Sequence, residues 1–469
     1  MRIPNLLVVT LVALFLVSCA TTRNNAFVQA DSAVAARQYQ AAAKSLEAKG
    51  NQSNYSDRDQ VLKQLDTAML YHLDDQAAAS TSRFDAAERL IEDNYTKSLT
   101  NAAASFVVND YLLDYPGEAY EDLYLNVFKA LDYLGLGQGD DAFVEINRLN
   151  DKLNLLEDKY ARLAASMNSA PEARGSVQPG KTEFHNSALA RYLSLALYRA
   201  EGSTDNAAID LDKLRQAFAT QRNLYAFAPP RLDVTPAPDG SVRLSVVGFT
   251  GRSPAKRAST LRIRTGENTI SVTSEVEDSR GRLQQTGSFT LRVSGVRSGY
   301  NFKAQLPEMY LRPSMVARIG VSVDGKAVGS LQLLERMDAI ALDTFNLGKQ
   351  STLIKTVLRT VSKGILAGAA NNKARELAAN SGNSALNLLA QVGTLAADAA
   401  VDASEQADLR SARYFPGQAW VGDFVIPEGP HSVTVDYHSA DGRLLYLEAL
   451  PRRNYSASEP NIVDSFDLE

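Results

Sequence analysis

The chain has 469 residues, with 49 Lys and Arg against 54 Asp and Glu, for a formal net charge of −5. That length holds about two to three domains, and 45% hydrophobic with 22% charged residues is globular composition that excludes a disordered or polytopic membrane chain. The acidic balance offers no excess cation for a phosphate backbone, so no nucleic-acid partner is expected. A single Cys excludes an internal disulfide and any Cys-built zinc or iron–sulfur site.

At the amino terminus, Arg2 precedes a nearly continuous apolar run over residues 6–17. The run is shorter than the ~20 residues a membrane span needs and has signal-peptide proportions. Leu16, Val17, Ser18 and Cys19 then look like the bacterial lipobox, in which the thiol takes a diacylglyceryl group and the signal is cut before it. The expected division is a signal peptide over 1–18 and a lipidated tether over 19–26, with lipid on Cys19 and no other cofactor. Each buried methylene contributes about 0.8 kcal/mol, so two or more acyl chains anchor stably. Ala20 stands where an Asp tends to retain Gram-negative lipoproteins in the inner membrane, which points to the outer membrane and the periplasm.

From residue 27, apolar residues recur at helical spacing, and a helical domain is expected over 27–225. A partial repeat sets Tyr39, Ala42 and Leu46 against Phe84, Ala87 and Ile91, with looser copies around Ala142 and Ala207. It is similar to the second half of a tetratricopeptide repeat, whose small residue lets two helices approach closely; a larger side chain there would overpack the contact. The alanines lie 45, 55 and 65 residues apart, against about 34 in a regular array. The expectation is an irregular α-solenoid of roughly four helix pairs, with a plain helical bundle as the alternative.

Pro229, Pro230, Pro236 and Pro238 make 226–240 a semi-rigid linker. Beyond it the apolar period becomes two, as at Val242, Leu244 and Val246. Asp324 with Gly325 and Asp441 with Gly442 read as hairpin turns, because type I′ turns need positive φ. One antiparallel β domain is expected in two parts, 241–333 and 411–469, around a helical-hairpin insertion over 334–410. In that hairpin Lys355, Arg359 and Lys363 form one stripe, and Asp398, Asp402 and Glu405 another. An antiparallel arrangement would pair Lys363 with Asp398, Arg359 with Asp402 and Lys355 with Glu405. The expected fold class is therefore α+β.

Apparent catalytic motifs dissolve on inspection. Gly320, Gly325 and Lys326 copy part of a phosphate loop, but Ala327 supplies no hydroxyl for Mg²⁺ and the context is a hairpin. Gly251, Ser253 and Ala255 echo a nucleophile elbow, yet Pro254 lacks the N–H an oxyanion hole would use. His72, His185, His431 and His438 show no helical metal-pair spacing. Arg252, Lys256, Arg257, Arg262 and Arg264 form a basic cluster, either a solvated loop face or a contact for an anionic glycan or lipid headgroup. No metal site and no enzyme activity are expected.

Two stretches carry a family resemblance. One is Tyr115, Pro116, Gly117, Glu118, Tyr120, Glu121 and Asp122, followed by Ala130, Leu131, Tyr133 and Leu134. The other is Glu405, Ala407, Asp408, Arg410 and Ser411, followed by Phe415, Pro416, Pro427 and Gly429. With the lipobox and the segment 338–341, these make the chain resemble a bacterial lipoprotein family that has tetratricopeptide-like repeats and no established activity. The family usually has Trp near Ala412 or Arg413, whereas the sole Trp here is Trp420. Tyr115, Glu118, Tyr120 and Asp122 are candidate groove or interaction residues beside a Pro–Gly turn; alternatively Glu118 and Asp122 cap the following helix. By fold analogy, such repeats bind partners along a concave face. The expected function is a non-enzymatic outer-membrane lipoprotein that acts as a periplasmic protein-interaction scaffold or assembly factor. The alternative is a ligand- or glycan-binding accessory of envelope transport or cell-wall metabolism. Expected partners are envelope proteins and the membrane, with a small molecule left open.

Overall fold

The computed structural model describes residues 27–48, 54–100, 108–169, 177–277, 282–380 and 405–469. The signal peptide, the tether with Cys19, and the acidic pair Asp398 and Asp402 lie outside the described residues. Helices come first and antiparallel sheets follow, so the chain is mixed α+β. Among the described residues, eight helices make four consecutive pairs: α1 (Val28–Ala35) with α2 (Tyr39–Leu46), α3 (Gln60–Leu73) with α4 (Ala77–Thr100), α5 (Ala119–Gly135) with α6 (Gly139–Ser169), and α7 (Ala188–Ala200) with α8 (Thr204–Thr220).

One turn geometry joins the helices of every pair. A residue with positive φ (Arg37, Asp75, Gly137 or Gly202) ends the first helix. The next residue donates its N–H five residues back, from Gln38 to Ala33, Gln76 to Tyr71, Gln138 to Tyr133 and Ser203 to Tyr198, at 2.8–2.9 Å. This closure satisfies helix-end carbonyls that would otherwise lack donors. The carbonyls of Gln38, Gln76, Gln138 and Ser203 then accept the N–H groups of Ala42, Ser80, Ala142 and Ala207. Those four small residues are fully buried. The second pair thus uses Ser80 where the sequence pattern pointed to Ala87. Ala87 is buried on the same face because it lies two helical turns further along.

The strands, in chain order, are β1 (Ser241–Gly266), β2 (Thr269–Glu277), β3 (Leu283–Arg292), β4 (Asn301–Arg312), β5 (Val316–Val323), β6 (Lys326–Ser330), β7 (Gln332–Glu335), β8 (Pro416–Pro427), β9 (Gly429–His431), β10 (Val433–Ser439), β11 (Leu444–Ala449), β12 (Arg453–Tyr455) and β13 (Ile462–Asp467). β1 is the axis of a seven-stranded sheet, with β8, β2 and β4 antiparallel to it. β13 runs parallel to β1, a pairing that the expected all-antiparallel domain did not include. β5, β6, β10 and β11 form a second, four-stranded sheet. Alternation along β1 sets the layers: Leu244 and Val246 face the core shared with the second sheet, while Val247 and Phe249 face the helices. Phe249 stacks on Phe466 at 5.0 Å and meets Phe128 of α5 at 5.3 Å. Helices and sheet therefore share one core, and Leu232 of the Pro-rich stretch is buried in it.

The turn at Asp324 and Gly325 has φ of 49° and 76° and joins β5 to β6 as the hairpin reading required. At Asp441 and Gly442 the loop is longer, with His438 opposite Leu444, and only Gly442 has positive φ.

A long helix, α9 (Met337–Asn380), is inserted between β7 and β8. It begins at Met337 rather than 334 because β7 occupies the preceding residues. Ile354, Val357, Leu358 and Val361 of α9 pack on β1, β2 and β4. Residues 405–415 are not helical; they run as an irregular strap into β8. This changes the expected charge ladder. Lys355 pairs with Asp110 at 3.1 Å, whereas Glu405 takes Arg359 at 2.9 Å and Lys363 at 2.8 Å. Asp110, from a short 3-10 turn, supplies the carboxylate that Glu405 was expected to give. Among the described residues, no helix is long and apolar enough to cross a membrane.

Candidate functional site

The two stretches that carry the resemblance meet in space. The Arg410 guanidinium lies 5.2 Å from the centre of the Tyr115 ring and donates to the Leu113 carbonyl at 3.0 Å. The Ala412 N–H donates to the Glu121 carboxylate at 2.6 Å. Together they close one end of a cavity of about 500 Å³, within the range of small-molecule sites. The cavity lies between the end of α4, the face of α6 carrying Leu156 and Tyr160, and the stretch of α9 carrying Phe345 and Gly348.

Local sequence explains this end of the site. Gly117, at φ 81°, turns the chain so tightly against α4 that a Cβ would lie 3.0 Å from Ile91 Cγ1. The next residue starts α5 with a reciprocal cap. Glu118 accepts the N–H of Glu121, and the Glu121 carboxylate accepts the N–H of Glu118 at 2.9 Å. Glu118 also pairs with Lys256 of β1, whose ammonium donates to the Arg410 carbonyl at 2.7 Å. Glu118 is thus both a helix cap and a cavity residue. Asp122 pairs with Lys152 at 2.7 Å and Lys159 at 3.1 Å.

Of the candidate groove residues, Tyr115, Glu118 and Asp122 line the cavity. Tyr120 does not. It is buried against Phe415, with ring centres 6.3 Å apart, and its hydroxyl donates to Glu121. Sequence reasoning missed Tyr160, Phe345 and Gly348. Their helical spacing reads as ordinary core, and no local signal distinguishes a cavity wall from a filled contact.

Burial and neighbours set the charges. Burial, reinforced by the charge of Glu118, pushes the Glu121 carboxyl up to about 7 despite the N–H donated by Ala412. For Asp122 and Asp408 burial acts upward but is outweighed, by Lys152 and by hydrogen bonds from Arg410 respectively, so both sit below the usual carboxylate range. Burial would lower Lys256, yet Glu118 and Asp408 hold it above its ordinary value. The Tyr160 hydroxyl is pushed up by burial and by Glu118 and Asp122. Asp122, Asp408 and Lys256 are therefore held in their charged forms, while the carboxyl of Glu121 behind them is raised to about 7. A cavity with this lining can hold a small molecule by apolar contact and hydrogen bonding.

The basic cluster lies on strand β1 rather than on a loop. Arg252, Arg257 and Arg262 pair with Glu469 at 3.0 Å, Glu308 at 3.1 Å and Glu275 at 2.7 Å, and Arg264 is exposed. His72 is buried between Asp132 at 2.7 Å and Asp464 at 3.0 Å. Among the described residues, no group of three His, Cys, Asp or Glu side chains is placed to hold a metal ion. In comparison with known proteins, no family model, no curated protein and no solved structure matches the chain.

Proposed function

We propose that the chain is a lipoprotein of the bacterial outer membrane, anchored through Cys19 and facing the periplasm, that captures a ligand in the cavity between its helices and α9. On this reading the four helix pairs are an irregular, tetratricopeptide-like solenoid, and the protein is a binder rather than an enzyme. The observation that carries the choice is the burial of the first helices. In a tetratricopeptide array these would offer the partner-binding groove. Here α5 and α7 are covered by the chain's own strands and strap, with Phe128 against Phe415 at 5.7 Å as well as Phe249. Unfilled space remains in the cavity, and an acyl anchor would keep it near any ligand source in the same membrane.

A scaffold role has one observation in its favour: Val144 and Ile209, on the second helices, are 51% and 52% exposed. Protein partners would then dock on that outer side.

The test is native mass spectrometry of the full chain purified from envelopes. A bound small molecule is expected; crosslinked protein partners without a bound molecule would overturn the ligand reading. Labelling with palmitate tests the anchor separately, since Cys19→Ala should abolish it and persistent label would refute it.

A further inference from the structure

We propose that the cavity selects an uncharged amphipathic molecule, an apolar body ending in a hydrogen-bonding head; this rests on the reading of the cavity as a ligand site. The argument is charge matching. Four cations of the lining each face a carboxylate of the same lining: Lys97 with Asp114, Lys159 with Asp122 and Lys355 with Asp110, all at 3.1 Å, and Lys256 with Glu118. Asp408 is taken by Arg410 at 2.7 Å. Lys349 and the Lys97–Asp114 pair are exposed at the rim, where water screens them. An ion entering this space would lose hydration and find every interior counter-charge already engaged, a large desolvation cost with no compensation.

The walls between the ion pairs are apolar, with Leu156, Leu163, Met167 and Phe345 among them. They suit an aliphatic or aromatic body. For the head, the Tyr160 hydroxyl makes no hydrogen bond among the described residues, and it sits on the cavity wall. A neutral hydroxyl, amide or ester group can meet it without disturbing the pairs.

Gly348 makes the test clean. It lies on α9 against Tyr160, and a Cβ there would sit 3.4 Å from the ring, an ordinary contact. Gly348→Leu would therefore place an apolar side chain in the cavity beside Tyr160 while raising helix propensity, and Gly348 itself belongs to no ion pair. Two ring-matched fluorescent probes differ in charge: uncharged N-phenylnaphthylamine and the anionic anilinonaphthalene sulfonate. A naphthyl alkylammonium adds the cation. Binding of each to the full chain is measured as the difference between wild type and Gly348→Leu, which cancels uptake by detergent or lipid. The uncharged probe should bind at least about tenfold more tightly than either ion, and Gly348→Leu should remove that binding. If the sulfonate or the ammonium binds as tightly and is also lost in Gly348→Leu, the charge argument is overturned while the ligand site stands. If no probe distinguishes wild type from Gly348→Leu, both fall. Should Gly348→Leu misfold by circular dichroism, Leu163→Trp, from the half-buried wall of α6, fills the same space and serves instead.

Discussion

In the third and fourth pairs, the first and second helices bury their surfaces in opposite ways. α5 is buried from Ala119 to Asp132 except at half-buried Asp122, and α7 is buried from Ala188 to Leu197 except at Arg191. α8 buries Ala207, Asp210, Leu211, Leu214, Ala217 and Phe218, a single stripe. The second helices are thus surface helices of ordinary amphipathic kind, legible from spacing. α5 and α7 lie between two layers and have almost no water-facing side, so most polar groups on them need an internal partner. Several have such partners. Lys129 reaches Asp85, Glu88 and Glu145 at 2.8, 3.0 and 2.9 Å, and Tyr124 donates to buried Glu335 at 2.8 Å.

The most severe way to break the contrast is to remove that internal neutralisation. Lys129→Met should cost about 3 kcal/mol in urea unfolding, because it takes from Asp85, Glu88 and Glu145 the fully buried cation they share and leaves Arg148 and Lys152 as their remaining partners. A loss below about 1 kcal/mol would mean the first helices do not depend on internal pairing. The turn geometry gives the next effect. Ala142→Leu should cost about 1–3 kcal/mol through overpacking. Ser80→Leu should match it if Ser80 is the equivalent residue of the second pair, whereas a much smaller loss there would return that role to Ala87.

What could be read from the sequence, and what could not, follows the same division. The alanine stripe, the Asp324 and Gly325 hairpin and the switch to strand period are local signals, and each marks a real element. A sharper local signal was also present: Tyr71 with Gln76 and Ser80 has the same spacing as Tyr133 with Gln138 and Ala142 and as Tyr198 with Ser203 and Ala207. Matching on aromatic and alanine alone slipped the second copy by two turns. Non-local features left no such trace. The parallel pairing of β13 joins residues over two hundred positions apart. The expected pairing of Lys355 with Glu405 failed because a third chain segment, carrying Asp110, competes for Lys355. The candidate site was half legible: the motif at residues 115–122 was found, but its meeting with Arg410 and Lys256 depends on the whole fold.

A gentler probe of the same contrast is pH. Two buried carboxyls hold adjacent N–H groups of the strap: Glu121 that of Ala412, and Asp66 that of Arg413, at 2.6 Å each. Burial raises Glu121 from 4.5 to about 7 and Asp66 from 3.8 to about 6. A raised folded-state value favours the protonated form, so their stabilisation is complete below about pH 4 and is lost as pH rises through 6 to 7. His72 adds to this above its ordinary 6.5: burial would lower it, but Asp132 and Asp464 raise it to about 10. Glu88 works the other way, because Lys152 and Lys129 outweigh burial and lower it to about 2, so stability falls again below its ordinary 4.5. Unfolding free energy should therefore peak near pH 4 and drop by on the order of 1–2 kcal/mol per pH step toward 7. Glu121→Gln should flatten that slope, and an unchanged slope would remove Glu121 from the explanation.

The smallest expected effect bears most directly on function. Val144→Ser and Ile209→Ser alter half-exposed side chains of the second helices, so unfolding should change by no more than about 0.5 kcal/mol. Probe uptake in the cavity should not change, since neither residue lines it. Crosslinking in intact cells then separates the two roles of the helix pairs. If partner capture survives both substitutions, the outer face is inert and the cavity carries the activity. If capture is lost while stability and probe uptake are intact, the second helices are a docking surface, and a ligand inside would be sensed from outside through α6, a second helix whose Leu156 and Tyr160 also wall the cavity.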